Sequence, residues 1–255
     1  MLHFYKYHGT GNDFIIMDNR DENIQLTTAQ IAQLCHRNFG IGADGLMLLE
    51  NSKNKDFKMR YFNSDGNEGS MCGNGGRCLV AFAKKLNIVD TETEFEAIDG
   101  IHHAIITENN IRLKMNDVKG IEKIGEDFFL NTGSPHYVRY VDNLQMLDVI
   151  SEGRAIRYNK RFFENGTNVN FIQKIGNTLH IRTYERGVEN ETLSCGTGTV
   201  AAAIISTLGT SNEYKEVQFQ TKGGLLSVSF VKNNELEFNQ VWLDGPAKLI
   251  FEGNI

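Results

Sequence analysis

The chain has 255 residues, 40% hydrophobic and 23% charged, with a formal net charge of −6 and a pI near 5.7. This is the composition of a folded globular chain with room for one large domain or two ordinary ones, and it excludes an intrinsically disordered one. The acidic balance, with no Lys/Arg cluster, argues against nucleic acid as a partner.

Residues 1–8 hold no apolar core of signal-peptide length, and runs such as residues 14–17 and 201–205 are far too short to span a bilayer. No membrane association is expected, and the expected location is the cytoplasm. The four cysteines, Cys35, Cys72, Cys78 and Cys195, are read as thiols, since a chain this long does not need disulfides.

Residues 4–18 read as two β-rich pieces around the turn His8-Gly-Thr-Gly-Asn12. Thr28 is placed to cap a helix running to about Asn38, with Ile31, Leu34 and Cys35 on one face. Gly40-Ile-Gly-Ala-Asp44-Gly45 is a glycine-rich turn before a strand at 46–50, and it lacks the Lys-Ser/Thr ending of a phosphate loop. A strand at 57–62 ends in the turn Asn63-Ser-Asp-Gly66. After the segment around Cys72, residues 77–86 carry Cys78, Leu79, Phe82, Ala83 and Leu86 at helical spacing, which points Cys78 into the core.

Residues 94–115 read as hairpins with Asn109-Asn110 at a turn, and the polar segment 116–125 is the best boundary between domains. Beyond it come a turn at 132–135, a strand at 137–141, a helical or irregular piece at 144–158 and strands at 169–174 and 181–184. Glu185-Arg186-Gly187 then stands roughly where Asn63-Ser64 stands in the first half. A small-residue helix at 196–208 follows Cys195, and two strand pairs and the segment 242–251 close the chain.

The second half echoes the first. Asn67-Glu-Gly-Ser-Met-Cys72-Gly-Asn-Gly-Gly-Arg77 and Asn190-Glu-Thr-Leu-Ser-Cys195-Gly-Thr-Gly-Thr199 share Asn, Glu, Cys, Gly and Gly at equal offsets, with a separation of 195 − 72 = 123 residues. Thr10-Gly11-Asn12 and Thr132-Gly133-Ser134 repeat at an offset of 122. Two matches in one register indicate an internal duplication. The expected domains are 1–117 and 118–244.

A thiol at a helix N-terminus meets outward-pointing N–H groups and the positive end of the helix dipole, both of which favour thiolate. The same N–H groups suit a carboxylate, and the glycines at 73, 75, 196 and 198 allow close approach of the backbone. Two such sites facing each other across a pseudo-two-fold cleft suit removal of a proton from one face of a carbon and its return on the other. A lone cysteine ahead of a helix is more often a small buried residue; the repeated glycine-flanked context shifts that balance. Cys72 and Cys78 have the wrong spacing for zinc, and His102-His103 in a hairpin reads as exposed. His136 and Glu185 flank turns that the repeat places beside the cysteines, with structural hydrogen bonding as the competing reading.

The set Gly9-Thr-Gly-Asn-Asp-Phe14, Gly40-Ile-Gly-Ala-Asp-Gly45, Phe62-Asn-Ser-Asp-Gly66, Met71-Cys-Gly-Asn-Gly75, Ser134-Pro-His136, Gly166-Thr-Asn-Val-Asn-Phe171, Tyr184-Glu-Arg-Gly187 and Ser194-Cys-Gly-Thr-Gly198 resembles the diaminopimelate epimerase family, in that family's order and across nearly the whole chain. The resemblance implies a cofactor-independent, metal-independent isomerase interconverting LL- and meso-2,6-diaminopimelate in lysine biosynthesis. It implies an α+β fold of two similar halves, each a curved, mostly antiparallel sheet around a central helix. The active site would lie between the halves, and residues 245–255 would return to the first.

Carried over by position, Cys72 and Cys195 are the acid/base thiols, while His136 and Glu185 tune catalysis. Gly73, Asn74, Gly196 and Thr197 hold the carboxylate of the reacting centre. Asn12, Asn63, Asn168 and Arg186 contact the substrate's amino-acid ends, with Glu185 beside them. Ser134 stands where many members have Asn, and Gly45 where some have Gln, each removing a possible substrate contact. Phe251 falls where some members place Tyr at a dimer interface, and a homodimer is implied. Three alternatives remain open at this point: a racemase for another amino acid such as histidine or hydroxyproline, a thiol redox switch, and a non-catalytic amino-acid-binding protein. Asn63, Asn168 and Arg186 argue against the first, and the presence of both sulfurs against the last.

Overall fold

The computed structural model describes residues 1–255. In chain order the elements are β1 (His3–Gly9), β2 (Asn12–Asp18), α1 (Thr28–Cys35), β3 (Gly45–Glu50), β4 (Phe57–Asn63), α2 (Gly73–Lys85), β5 (Glu92–Ala97), β6 (Gly100–Ile106) and β7 (Ile111–Lys114). They continue as β8 (Val118–Lys119), β9 (Glu122–Ile124), β10 (Asp127–Asn131), β11 (Pro135–Tyr140), α3 (Val149–Arg157), β12 (Asn168–Ile175), β13 (Thr178–Glu185) and β14 (Asn190–Thr192). The last are α4 (Gly196–Ser206), β15 (Tyr214–Thr221), β16 (Gly224–Lys232), β17 (Glu237–Gly245) and β18 (Lys248–Asn254).

The chain divides into two compact units, residues 1–113 with 245–255, and residues 114–244. The division falls between Leu113 and Lys114, ahead of the polar segment, because Met115 N–H already bonds Val241 O in β17. Residues 116–125 are built into the second unit: Val118 is buried and pairs with Phe238, and Glu122 pairs with Phe129.

Each unit follows one plan. In the first, β1 runs antiparallel to both β18 and β2, β2 is parallel to β3, β3 antiparallel to β4, β4 parallel to β5, and β5, β6 and β7 are successively antiparallel. In the second, β9, β10 and β11 are antiparallel, β11 is parallel to β12, β12 antiparallel to β13, β13 parallel to β15, and β15, β16 and β17 are antiparallel. A parallel pair needs a crossover. α1 and α2 supply it in the first unit, α3 and α4 in the second.

The registers repeat as well. Phe14 pairs with Gly45 and Leu46 with Phe62, while His136 pairs with Asn168 and Val169 with Tyr184. The offsets are 136 − 14 = 122, 168 − 45 = 123, 169 − 46 = 123 and 184 − 62 = 122. They match the spacing of the two cysteine segments, so the duplication is structural.

The central helices are buried because their sequences leave little polar surface. α2 packs on β1, β2, β3 and β6 and buries Cys78, Leu79, Val80, Phe82 and Ala83. α4 packs on β10, β11, β12, β13 and β16 and buries an unbroken apolar run from Val200 to Ile205. Burying each larger side chain contributes about 1.5–3 kcal/mol. At Gly75 an added Cβ would meet Met47 and Phe14, which shows how closely α2 lies on the sheet.

Three local expectations differ. The N-cap of α1 is Thr27, not Thr28, in a capping box with Gln30. The helix stops at Cys35, short of Asn38, because the chain doubles back: Ile41 and Gly42 N–H bond Leu34 O, and Ala43 N–H bonds Cys35 O. His102 lies half-buried in β6, its ring stacked on Phe95 at 5.4 Å and bonded to Asp99, so this histidine is not exposed. No helix is long and apolar enough to cross a membrane. On β18, Phe251 is 47% exposed and meets Phe4 edge-on at 5.9 Å.

Candidate active site

Cys72 and Cys195 occupy equivalent places, the N-cap of α2 and the N-cap of α4, both with extended backbone. An N-cap residue ordinarily turns its side chain onto an N–H of the first turn. Neither cysteine does so. The first intrahelical bonds are Gly76 N–H to Cys72 O at 2.7 Å and Thr199 N–H to Cys195 O at 2.9 Å. The N–H groups ahead of them point out of the helix, where a ligand's negative charge is favoured.

In the first unit Cys72 Sγ donates to Asn12 Oδ1 at 3.6 Å, and Asn74 Nδ2 donates to the same oxygen at 3.2 Å. Asn74 Oδ1 accepts from the fully buried Arg77 at 2.9 Å, and Arg77 also donates to Thr10 Oγ1 at 3.3 Å. Gly73 O accepts from Arg77 at 3.4 Å, so the guanidinium ties the helix start to the β1–β2 turn. That turn requires positive φ at Thr10 (50°) and Gly11 (87°), an ordinary use of glycine and a strained one of threonine.

Asn12 is held from its other side. Its Nδ2 donates to Asp44 Oδ2 at 2.6 Å, Arg37 joins Asp44 at 2.7 Å to Asp13 at 2.8 Å, and Lys6 reaches Asp13 at 2.7 Å and bonds Gly42 O. Burial would raise the Asp13 carboxyl, but its bonds to Arg37 and Lys6 outweigh that and bring it down to about 2. Asn63 lies exposed at the end of β4, with its Nδ2 over Gly69. It is not bonded into the Cys72 group.

In the second unit Cys195 is 8% exposed, with its Sγ 3.6 Å from Thr197 Oγ1. Thr132 Oγ1 donates to Thr197 O at 2.9 Å and so fixes the start of α4. His136 and Asn170 are both completely buried. Asn170 Nδ2 lies 3.0 Å from His136 Nδ1 and donates to Tyr137 O at 3.0 Å, while its Oδ1 accepts from Thr183 at 3.0 Å. Burial, reinforced by the charge of Arg186, pushes His136 down to about 3, so the imidazole is neutral at physiological pH.

Asn168 Nδ2 donates to Ser134 Oγ at 3.1 Å and Pro135 O at 3.2 Å, and its Oδ1 accepts from Arg186 N–H at 2.9 Å. Arg186 is exposed; its guanidinium donates to Asn165 O at 2.9 Å and Ser134 Oγ at 3.5 Å. Ser134 therefore links Asn168 to Arg186. Gly166, at φ 69°, leaves room for Arg186 and Arg157, since a Cβ there would lie 2.7 Å from both side chains. Glu185 ends β13 and accepts from Thr192 at 2.9 Å. No group of three or more His, Cys, Asp or Glu side chains is arranged to hold a metal ion.

The arrangement thus joins Cys72, Gly73, Asn74 and Asn12 in one unit, and Thr197, Cys195, His136, Asn168 and Arg186 in the neighbourhood of one helix end in the other. Sequence reasoning missed Asp44, Arg37 and Asn170 as supports. It had paired Thr10 with Thr132 as repeats without seeing that each binds the second residue after its cysteine, Asn74 or Thr197. Cys35 and Cys78 are buried in the core; burial pushes the Cys35 thiol up to about 11 and raises that of Cys78 further.

The family model for diaminopimelate epimerase matches residues 4–120 and 128–250. A diaminopimelate epimerase of Flavobacterium psychrophilum is 52% identical over 257 residues, covering 100% of both chains, and one of Chlorobaculum tepidum is 46% identical, covering 97% of this chain and 98% of its own. Among solved structures, a phenazine biosynthesis protein of the PhzF family from Bacillus anthracis superposes with a TM-score of 0.79 at 15% identity, over 100% of this chain and 98% of that one. A hydroxyproline epimerase from Agrobacterium vitis, solved with bound trans-4-hydroxy-L-proline, gives 0.72 at 12% identity, over 99% and 91%. At those identities the structures establish the fold alone. Full-length identity to the curated relatives, together with the match of the family model in both halves, shows that the chain belongs to the diaminopimelate epimerase family.

Proposed function

We propose that the chain interconverts LL- and meso-2,6-diaminopimelate by proton transfer at one α-carbon, without cofactor or metal, with Cys72 and Cys195 as the two proton carriers. The observation that carries this is the matched pair of thiols, each at a helix N-cap and neither making a side-chain capping bond to the first turn. One thiolate removes the α-proton and the other thiol delivers a proton to the opposite face; the roles exchange in the reverse direction. The α-proton is far less acidic than a thiol, so the step needs stabilisation of the charge that develops on the substrate. Backbone N–H groups at Gly73, Asn74, Gly196 and Thr197 are assigned that task at the reacting carboxylate.

Asn12, Asn63, Asn168 and Arg186 take the amino-acid ends of the substrate. Neutral amides with one guanidinium suit a zwitterion, because several charges of one sign would repel one of its groups. His136 and Glu185 are assigned supporting roles in catalysis. The enzyme would serve lysine biosynthesis in the cytoplasm as a homodimer.

Incubation of the reduced protein with LL-diaminopimelate in deuterium oxide, with neither pyridoxal phosphate nor metal added, tests the substrate. The α-hydrogen signal should be lost while the meso form appears. Exchange of a different amino acid, with none of diaminopimelate, would refute the assignment.

A further inference from the structure

The hydrogen-bond network around His136 has one consistent set of proton positions. Asn170 Nδ2 stands 3.0 Å from Tyr137 O, and a carbonyl oxygen accepts only, so the nitrogen of the amide must face it. The opposite assignment would set two oxygens against each other. Asn170 Oδ1, on the other side, takes the Thr183 hydroxyl at 3.0 Å. With one N–H given to Tyr137 O, the second points at His136 Nδ1, 3.0 Å away. Nδ1 is therefore the acceptor, and the ring proton sits on Nε2.

The far side of the ring agrees. Nε2 faces Asn168 Nδ2 at 3.5 Å, and both hydrogens of that nitrogen are given to Ser134 Oγ and Pro135 O. Asn170 is also locked to the cysteine-bearing helix. A Cβ on Gly198 would lie 2.3 Å from Asn170 Oδ1 and 3.3 Å from Cys195 Sγ, so the amide rests against the first turn of α4.

We propose that Asn170 is a positioning residue that holds His136 in the Nε2–H tautomer, so that His136 serves the reaction as a hydrogen-bond donor to an acceptor atom and not as a base at that nitrogen. Complete burial and the neighbouring Arg186 charge keep the ring neutral, which preserves the single tautomer across physiological pH. The kinetic part of the proposal rests on the epimerase reading; the tautomer does not.

The test is nitrogen NMR on protein labelled with ¹⁵N, with the His136 signals assigned by their loss in His136→Gln. Wild type should show a deshielded, proton-free Nδ1 and a shielded, protonated Nε2, with scalar coupling across the hydrogen bond between Asn170 Nδ2 and His136 Nδ1. The reverse pattern, or two averaged signals without coupling, overturns the proposal. Asn170→Asp offers Nδ1 an acceptor in place of a donor. It should move the proton to Nδ1 and lower kcat by about 10²-fold with KM nearly unchanged, the scale of losing one aligned donor. An Asn170→Asp protein that folds and keeps the Nε2–H pattern also overturns it. If that variant does not fold, the wild-type spectrum and coupling still decide. If diaminopimelate is not exchanged but the coupling is present, the substrate reading falls and the positioning role of Asn170 stands.

Discussion

Gly198→Ala separates a tolerable glycine replacement in these helices from an intolerable one. The new methyl would sit 2.3 Å from Asn170 Oδ1, whose amide is fixed by His136, Tyr137 O and Thr183. Overpacking costs about 1–3 kcal/mol, and each bond lost from that buried amide adds about 1–3 kcal/mol. Alanine returns about 1 kcal/mol in helix propensity. The net loss is about 2–4 kcal/mol, which corresponds to a Tm lower by about 5–15 °C in a domain of this size. Gly75→Ala is the control. There the nearest atom is Met47 Sδ at 3.2 Å, the end of an adaptable side chain, and the helix-propensity gain should offset the contact, leaving Tm within about 3 °C of wild type. Differential scanning calorimetry of both variants checks the pair. Equal Tm values, or a Gly198→Ala protein at least as stable as wild type, would refute the claim that Asn170 is rigidly held against α4.

Other outcomes follow from the thiols, the buried histidine and the ionic group beside Asn12. Brief alkylation of the native protein at pH 8, read by peptide mass spectrometry, should label Cys72 ahead of Cys35 and Cys78. The last two are buried, with thiols pushed to about 11 or beyond. From pH 6.5 down to about 3 the unfolded chain binds a proton at residue 136 that the folded one does not, so stability falls with acidity there. Urea unfolding should show a dependence on pH that is smaller by about 1.4 kcal/mol per unit in His136→Gln between pH 6 and 4. Asp13 has the usual carboxylate sign: its contribution of about 1–2 kcal/mol is present above pH 4 and lost as pH falls through about 2, and Asp13→Asn should flatten the acid limb. Asp44→Ala frees the Asn12 amide, and should raise KM by about 10-fold with kcat nearly kept.

Much of this molecule is legible in its residues because turns and duplication leave strong marks. The paired cysteine segments announce both helix starts, and the near-equal offsets of Phe14/His136 and Gly45/Asn168, 122 and 123 residues, follow from one ancestral register. The edges were harder to read. The stop of α1 depends on residues 40–43 folding back onto its carbonyls, which no periodicity reveals. The polar run at 116–125 reads as the boundary between domains, yet its strands pair with β17 and β10, partners distant in sequence or hidden by short length. Asn170 stands inside a recognised motif, but its role rests on where Tyr137 O and Thr183 fall across three strands, which composition cannot show.

The central claim is proton transfer by two monoprotic thiols. It is tested most directly by following single-pass conversion of LL-diaminopimelate in deuterium oxide. Two thiols predict that the first meso product carries solvent deuterium at the inverted carbon while unconverted LL substrate keeps its hydrogen, and that Cys72→Ala and Cys195→Ala each abolish inversion. Product that retains the original hydrogen, or inversion at the wild-type rate in either variant, would contradict the account.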